Sequence, residues 1–405
     1  MTLTRTLPGI AVALVMVLPG PDAAAQTTAE SLRHLERRIE RDAEALARRL
    51  ERQAEALADQ RIDATRAREL AHAAGVLAEG LAVELGALAG RVVEDLALQA
   101  PLFLQDGRGV GAGRGGPEYT ETVTRTVRLG EDGTFELTNL AGDIRVTGGG
   151  GDQVVVEAVK RVRNRDETQG RAQLQAIEIE FIEQTGRLEV RTEYPNDRRL
   201  AGEVDFTVAV PAGAGVRVRT VSGDVTVTGV EGVLYAESIS GHVRGTGLRR
   251  VDLLKSVSGD VWITDARLDE TAAASSLSGD VRITDVTGRA LEFSSVSGSV
   301  FLTDVSATRL TAESVNGTLL FEGALTRGGR YDFSTHSGNV RLALEGDTGF
   351  DVNASTFSGD IRSDYDLARR GRDRGLGASM RGTFGDASAV LELRTFSGTI
   401  SLEER

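Results

Sequence analysis

SGDVWI (Ser258–Ile263) and SGDVRI (Ser278–Ile283) are two copies of one short pattern. The pattern recurs to the end of the chain. Its turn glycines are Gly223, Gly241, Gly259, Gly279, Gly298, Gly317, Gly338, Gly359 and Gly398, with steps of 18, 18, 20, 19, 19, 21, 21 and 39 residues. An earlier copy at Gly142 precedes Ile144 and Val146 and opens the domain. After most turns comes an apolar pair two residues apart, such as Val225 and Val227, Val261 and Ile263, Val281 and Ile283, or Val300 and Leu302. That spacing puts both side chains on one face of a strand. The residue between them (Thr226, Trp262, Arg282, Phe301, Arg341) varies freely, as an outward position does.

A unit of about 19 residues holds two short strands and two turns, too little to bury a core alone but enough when copies stack. The expected fold class is therefore all-β, a parallel β-helix or β-solenoid with columns of Val, Ile and Leu inside. The glycine is expected to supply a positive φ at each turn, with flanking Ser, Asn and Asp bonding local backbone as a ladder. The step of 39 contains Leu367–Gly377, read as a loop on the scaffold. Between Val154 and Val210 the pattern gives way to longer alternating strands, with a hairpin at Thr185-Gly186, expected to cap the N-terminal end and block its open edge.

Outward from the repeats, the chain divides into four. Residues 1–25 have an early Arg, an apolar run from Ile10 to Leu18 and the small-residue site Ala23-Ala24-Ala25, the layout of a cleaved signal peptide. Residues 26–104 are rich in Ala, Leu, Glu and Arg and form a helical, coiled-coil-like arm. Leu32, Ile39 and Leu46 repeat at heptad spacing, and ten Arg balance ten acidic residues between Glu30 and Leu70. Periodicity leaves open a helical hairpin or a homo-oligomeric coiled coil through residues 28–73. Residues 105–118 are a Gly-rich linker; their GRGVGAGRG lacks the preceding strand and following helix of a phosphate loop. Residues 119–405 are the solenoid, with N-terminal strands and cap over 119–215 and repeats over 216–405.

The iterated Ser-Gly-Asp rungs, ending in Phe396-Ser397-Gly398-Thr399-Ile400, resemble the bacterial DUF4097 family, also called the putative adhesin family. The resemblance covers about Thr120 to Arg405. It implies a β-helical, extracytoplasmic protein with no established enzyme activity, and it brings no catalytic residues.

Composition narrows the chemistry. Among 405 residues there is no Cys, only four His, and a net charge of −13, which removes disulfides, thiolate metal sites and a cysteine nucleophile and argues against nucleic acid as a partner. Of 47 basic residues only Lys160 and Lys255 are lysine, a bias read as codon composition. Asp260 and Asp280, supported by Asp265 and Asp285, are candidate calcium ligands, but calcium needs six or more oxygens and turn formation is the better reading. His242 and His336 read as turn variants, and no Ser is distinguished from its copies as a nucleophile.

The expectation is thus a non-enzymatic, exported protein without cofactor, periplasmic or at the cell surface, with no membrane span after leader cleavage. It would act as an adhesin or envelope scaffold that binds an envelope protein or polysaccharide. The alternatives are a periplasmic regulatory or sensor component and, more weakly, a carbohydrate-active enzyme on a β-helix.

Overall fold

The computed structural model describes residues 116–149, 151–194, 202–369 and 377–405. The expected signal peptide, the helical arm and all but the last residues of the linker lie outside the described residues. Everything described below belongs to one compact unit.

The chain enters through β1 (Glu118–Arg128), β2 (Thr134–Ala141), β3 (Ile144–Gly149) and β4 (Gln153–Arg163), then α1 (Glu167–Ala176), β5 (Glu178–Gln184), β6 (Arg187–Glu193) and β7 (Gly202–Pro211). The repeats follow: β8 (Gly215–Ser222), β9 (Val225–Thr228), β10 (Val233–Ser240), β11 (Val243–Thr246), β12 (Arg250–Ser256), β13 (Val261–Ser276), β14 (Val281–Ser295), β15 (Val300–Ser314), β16 (Leu319–Ala324), β17 (Arg330–Ser337) and β18 (Val340–Glu345). The C-terminal part adds β19 (Phe350–Ser358), β20 (Ile361–Ser363), β21 (Ala368–Arg369), β22 (Ala378–Phe384), β23 (Ala389–Ser397) and β24 (Ile400–Glu404).

The result is an all-β, solenoid-like stack. Each rung has a strand running into the Ser-Gly turn and a strand leaving it, so two ladders form, an entry sheet and an exit sheet. On the exit sheet Val243, Val261, Val281, Val300, Leu319 and Val340 stand in parallel register, one per rung. These and their partners two residues on are fully buried. They meet Leu234, Leu254, Leu291, Phe293 and Phe333 from the entry sheet in one continuous core.

The expected positive φ holds at four of the ten turn glycines, and a second requirement holds at all ten. Gly142 and Gly223 have φ of 117° and 139°, and Gly359 and Gly398 lie near 155°, but the other six turn glycines are outside the left-handed region. What they share is close approach. A Cβ placed on Gly241 would lie 2.0 Å from the Gly223 carbonyl oxygen, and one on Gly279 2.3 Å from that of Gly259. Gly259, Gly298, Gly317 and Gly338 repeat the contact at 2.0–2.1 Å. The left-handed corner is the other one, at Gly229, Gly247, Asp265, Asp285 and Asp304, where Asp is among the few side chains that tolerate it.

A buried hydroxyl column accompanies the glycines. Three residues before each turn glycine stand Asn139, Thr220, Ser238, Ser256, Ser276, Ser295, Ser314, Thr335, Thr356 and Thr395, all buried. Ser276 Oγ donates to the Gly259 carbonyl of the preceding rung at 2.8 Å and accepts from the Gly279 N–H at 2.9 Å. Ser238, Ser295, Ser314 and Thr335 donate to their own preceding glycine in the same way. The turn carbonyl is thereby satisfied where no water reaches it.

Both ends depart from chain order. β2 pairs in parallel with both β6 and β8, and β3 with both β7 and β9, so the first rung sits second in the stack. At the far end β23 lies between β17 and β19, and β24 between β18 and β20. The last residues of the chain therefore fill an interior rung. Of the span read as a loop, Leu367–Gly377, residues 370–376 lie outside the described residues and its start forms β21. β21 pairs antiparallel with β22, which follows the span and is itself antiparallel to β19 at the end of the entry sheet. The other end extends the exit sheet with β4 and β1 and the entry sheet with the antiparallel β5–β6 hairpin, whose turn is Thr185-Gly186. It also contains α1, unforeseen in the sequence, whose N-cap Asp166 accepts from the Gln169 N–H and whose Gly170 abuts the Tyr119 ring.

Two substitutions test this packing by thermal unfolding of the full chain. Gly279→Ala is expected to cost about 3 kcal/mol by overpacking, lowering Tm by about 6–12 °C, whereas Gly149→Ala, which has open space around it, is expected to leave Tm within about 2 °C; equal effects would refute the close-approach account. Ser276→Ala is expected to cost about 1–3 kcal/mol by orphaning buried backbone groups and Ser276→Thr less than half as much, because Thr fills this column in other rungs. An unchanged Tm for Ser276→Ala would show that the ladder contributes nothing.

Candidate interaction surface

Chemistry on a solenoid resides in the columns that face outward. Immediately after seven of the ten turn glycines, the side chain accepts from the backbone of the next rung. Asp143 Oδ1 takes the Asp224 N–H at 3.0 Å, Asp224 Oδ1 the His242 N–H at 2.8 Å, and His242 Nδ1 the Asp260 N–H at 3.0 Å. Asp260 Oδ1 then takes the Asp280 N–H and Asp280 Oδ1 the Ser299 N–H. The second oxygens of Asp260 and Asp280 both face Arg282, at 3.2 and 2.6 Å.

The two candidate calcium ligands are thus stacked, but their oxygens are occupied by backbone N–H groups and a guanidinium. Asp265 and Asp285 do not join them, since five residues of strand, about 16 Å, carry them to the opposite corner. Among the described residues no group of three or more His, Asp or Glu side chains is placed to hold a metal ion. His242 continues the acceptor ladder. His336 stacks on Phe396 at 4.9 Å and 6°, and Phe396 on Phe357 at 4.9 Å and 7°.

Two residues further along the exit strands, the freely varying outward positions become one column. Arg244 lies over the Trp262 ring at 4.4 Å and Arg282 over Phe301 at 4.9 Å, while His242 touches Trp262 at 4.8 Å. Trp262, the only Trp of the chain, and Phe301 are half-buried. Parallel register stacks the side chains along the solenoid axis, so a guanidinium packs on a face of each ring. Cation–π contact of this kind orders both partners.

The entry sheet carries a second cluster. Arg217 and Arg219 lie over the Tyr235 ring at 4.7 and 5.4 Å. Tyr235 donates to Glu237 at 2.8 Å, and Glu237 pairs with Lys255 at 3.1 Å, with side chains only 14% and 7% exposed. Burial first, then the Glu237 charge, pushes the Tyr235 phenol up to about 12, so it remains a donor at neutral pH. Lys160, the other lysine, is also buried and pairs with Glu121 at 3.4 Å. The two lysines are the only charged side chains among the buried polar residues described. Composition gave no hint of that. Further along, Asp332 faces Arg394, and burial raises its carboxyl against the opposing pull of that guanidinium.

No helix among the described residues is long and apolar enough to cross a membrane.

Several solved structures show distant similarity to this chain. A putative cell adhesion protein from Clostridium sporogenes is 8% identical, with 71% of this chain and 100% of that chain covered and a TM-score of 0.20. A putative adhesin from Bacteroides fragilis is 12% identical, covering 70% and 97%, with a TM-score of 0.36. A putative lipid binding protein from Parabacteroides distasonis is 10% identical, covering 72% and 98%, also at 0.36. No curated protein matches the chain. The family profile described as Toastrack DUF4097 matches residues 134–403. With two thirds of its length matched in this way, the chain belongs to the Toastrack DUF4097 family.

Proposed function

We propose that the protein is an exported, non-enzymatic scaffold of the cell envelope, in the manner of an adhesin, and that it engages a protein partner through the Arg244–Trp262–Arg282–Phe301 column. In this reading the stack is a parallel β-helix that serves as a rigid platform, and the helical arm over residues 26–104 docks or oligomerises it at the envelope.

The observation that carries the proposal is the placement of the lone Trp. The core is lined by aliphatic columns with Phe and Tyr among them, yet the largest side chain faces outward beside a second aromatic and two guanidiniums. Trp and Arg are the residue types that dominate binding energy at protein interfaces. A polysaccharide would need flat, uncovered ring faces on which to stack, whereas here a guanidinium packs on a face of each ring. That favours a protein partner, which can use ring edges and the remaining guanidinium donors.

The test is quantitative capture of envelope proteins by the full chain and by the Trp262→Ala/Phe301→Ala variant. The expected result is a defined protein retained by the wild type and depleted at least tenfold by the variant, with unchanged circular dichroism. Equal retention would exclude this column. Binding to a cell-wall or exopolysaccharide array that is lost in the same variant would overturn the choice of partner.

A further inference from the structure

We propose that two copies of the chain join edge to edge through β1, antiparallel, about a two-fold axis at Val123. β1 pairs with β4 over its whole length, from Glu118↔Arg163 to Arg128↔Gln153. Among the described residues no strand lies on its other side, so eleven residues of backbone form the open edge of the exit sheet. Pro117, without an N–H, precedes the strand, and Gly130 at φ 85° begins the turn after it.

The sequence of this edge, EYTETVTRTVR, is complementary to its own reverse in charge and shape. Centred on Val123, antiparallel pairing sets Glu118 against Arg128 of the partner subunit and Glu121 against Arg125 of the partner subunit, each twice by symmetry. Thr120 meets Thr126 of the partner subunit, Thr122 meets Thr124 of the partner subunit, and Tyr119 meets Val127 of the partner subunit. Opposite charges and Thr–Thr neighbours are favourable cross-strand pairs. Tyr119 and Val127 already pack against the core, so this pairing extends an apolar face across the axis.

Other pairings do worse. A shift of two residues removes all four charge pairs, and parallel pairing in register sets Glu on Glu and Arg on Arg. Charges on an edge commonly guard it against addition, but a guard needs only charge, whereas this strand places opposite signs at mirrored positions. The existing pairs of Glu118 with Arg163, Arg125 with Glu183 and Arg128 with Asp152 are exposed enough to be extended and need not be broken.

The absence of cysteine in the chain makes the test direct. In the full chain, Val123→Cys would face its own copy at a Cα separation of about 4.5–5.5 Å, within disulfide reach. Thr126→Cys would be about 20 Å from its copy along the strand. Under mild oxidation, Val123→Cys is expected to form a covalent dimer at least tenfold faster than Thr126→Cys. Glu118→Arg and Arg128→Glu, both at exposed positions, are each expected to weaken self-association at least tenfold in sedimentation equilibrium, and their equimolar mixture to restore it. Equal crosslinking at positions 123 and 126, as a dimer held by another part of the chain would give, overturns the proposal. So does a mixture that associates no better than its components.

Discussion

The architecture depends on one contact, the approach of each turn glycine from Gly223 onward to the carbonyl oxygen of the glycine one rung away. At that separation a hydrogen fits and a methyl group does not. Strands about 4.8 Å apart tolerate side chains anywhere along their length, but at the turn the backbones run through each other's shadow and only glycine can occupy the position. The close approach puts the carbonyl oxygen out of reach of water, and that creates the need for the second column. A hydroxyl three residues upstream in the next rung supplies the missing donor. A third column, from Asp143 through Asp280, secures the following N–H. Three ladders thus converge on one corner, and the aliphatic columns stack in register because that corner is fixed.

This accounts for what a reader of the sequence can recover. The Ser-Gly-Asp spacing and the apolar pairs at alternate positions both report directly on a period, so the all-β stacked fold is legible in Ser258–Ile263 and its copies. The conformation of the glycine is not legible, because positive φ and close approach select the same residue, and only the neighbouring rung distinguishes them. Ser276 and its equivalents were hidden for a similar reason. A Ser in a strand beside another Ser reads as an outward residue, and its burial follows from a carbonyl on another rung. Helix α1 was obscured by Gly170 and by having one buried leucine, Leu174.

The order of the rungs is the clearest limit of a one-dimensional reading. The step from Gly359 to Gly398 measures how much chain intervenes but not where the chain returns. The structure returns it inward, with Gly398 against Gly338 and Gly359 against Gly398. The same device at β2 and β3 places the first rung second in the stack, and at the far end the outermost strands precede the last rung in sequence and are tethered on both sides. For the candidate surface, the outward direction of Trp262, Arg282 and Phe301 was legible from strand alternation. Their mutual stacking was not, because it requires the parallel register that places one above the other. The calcium reading of Asp260 and Asp280 meets a related difficulty: sequence brings carboxylates near in number, while the fold assigns their oxygens to backbone and Arg282.

The glycine column also dictates which segments hold the stack together, and residue-resolved hydrogen exchange reads this directly. Strands sandwiched between rungs should open only with the whole domain. The account predicts that amides of Leu391–Leu402, although next to the C-terminus, are as slow to exchange as those of Val281–Leu302, while amides of Ala378–Phe384 at the end of the stack exchange first. If Leu391–Leu402 instead exchanged ahead of Phe350–Phe384, as a fraying terminus does, the rung order set by the glycine contacts would be contradicted.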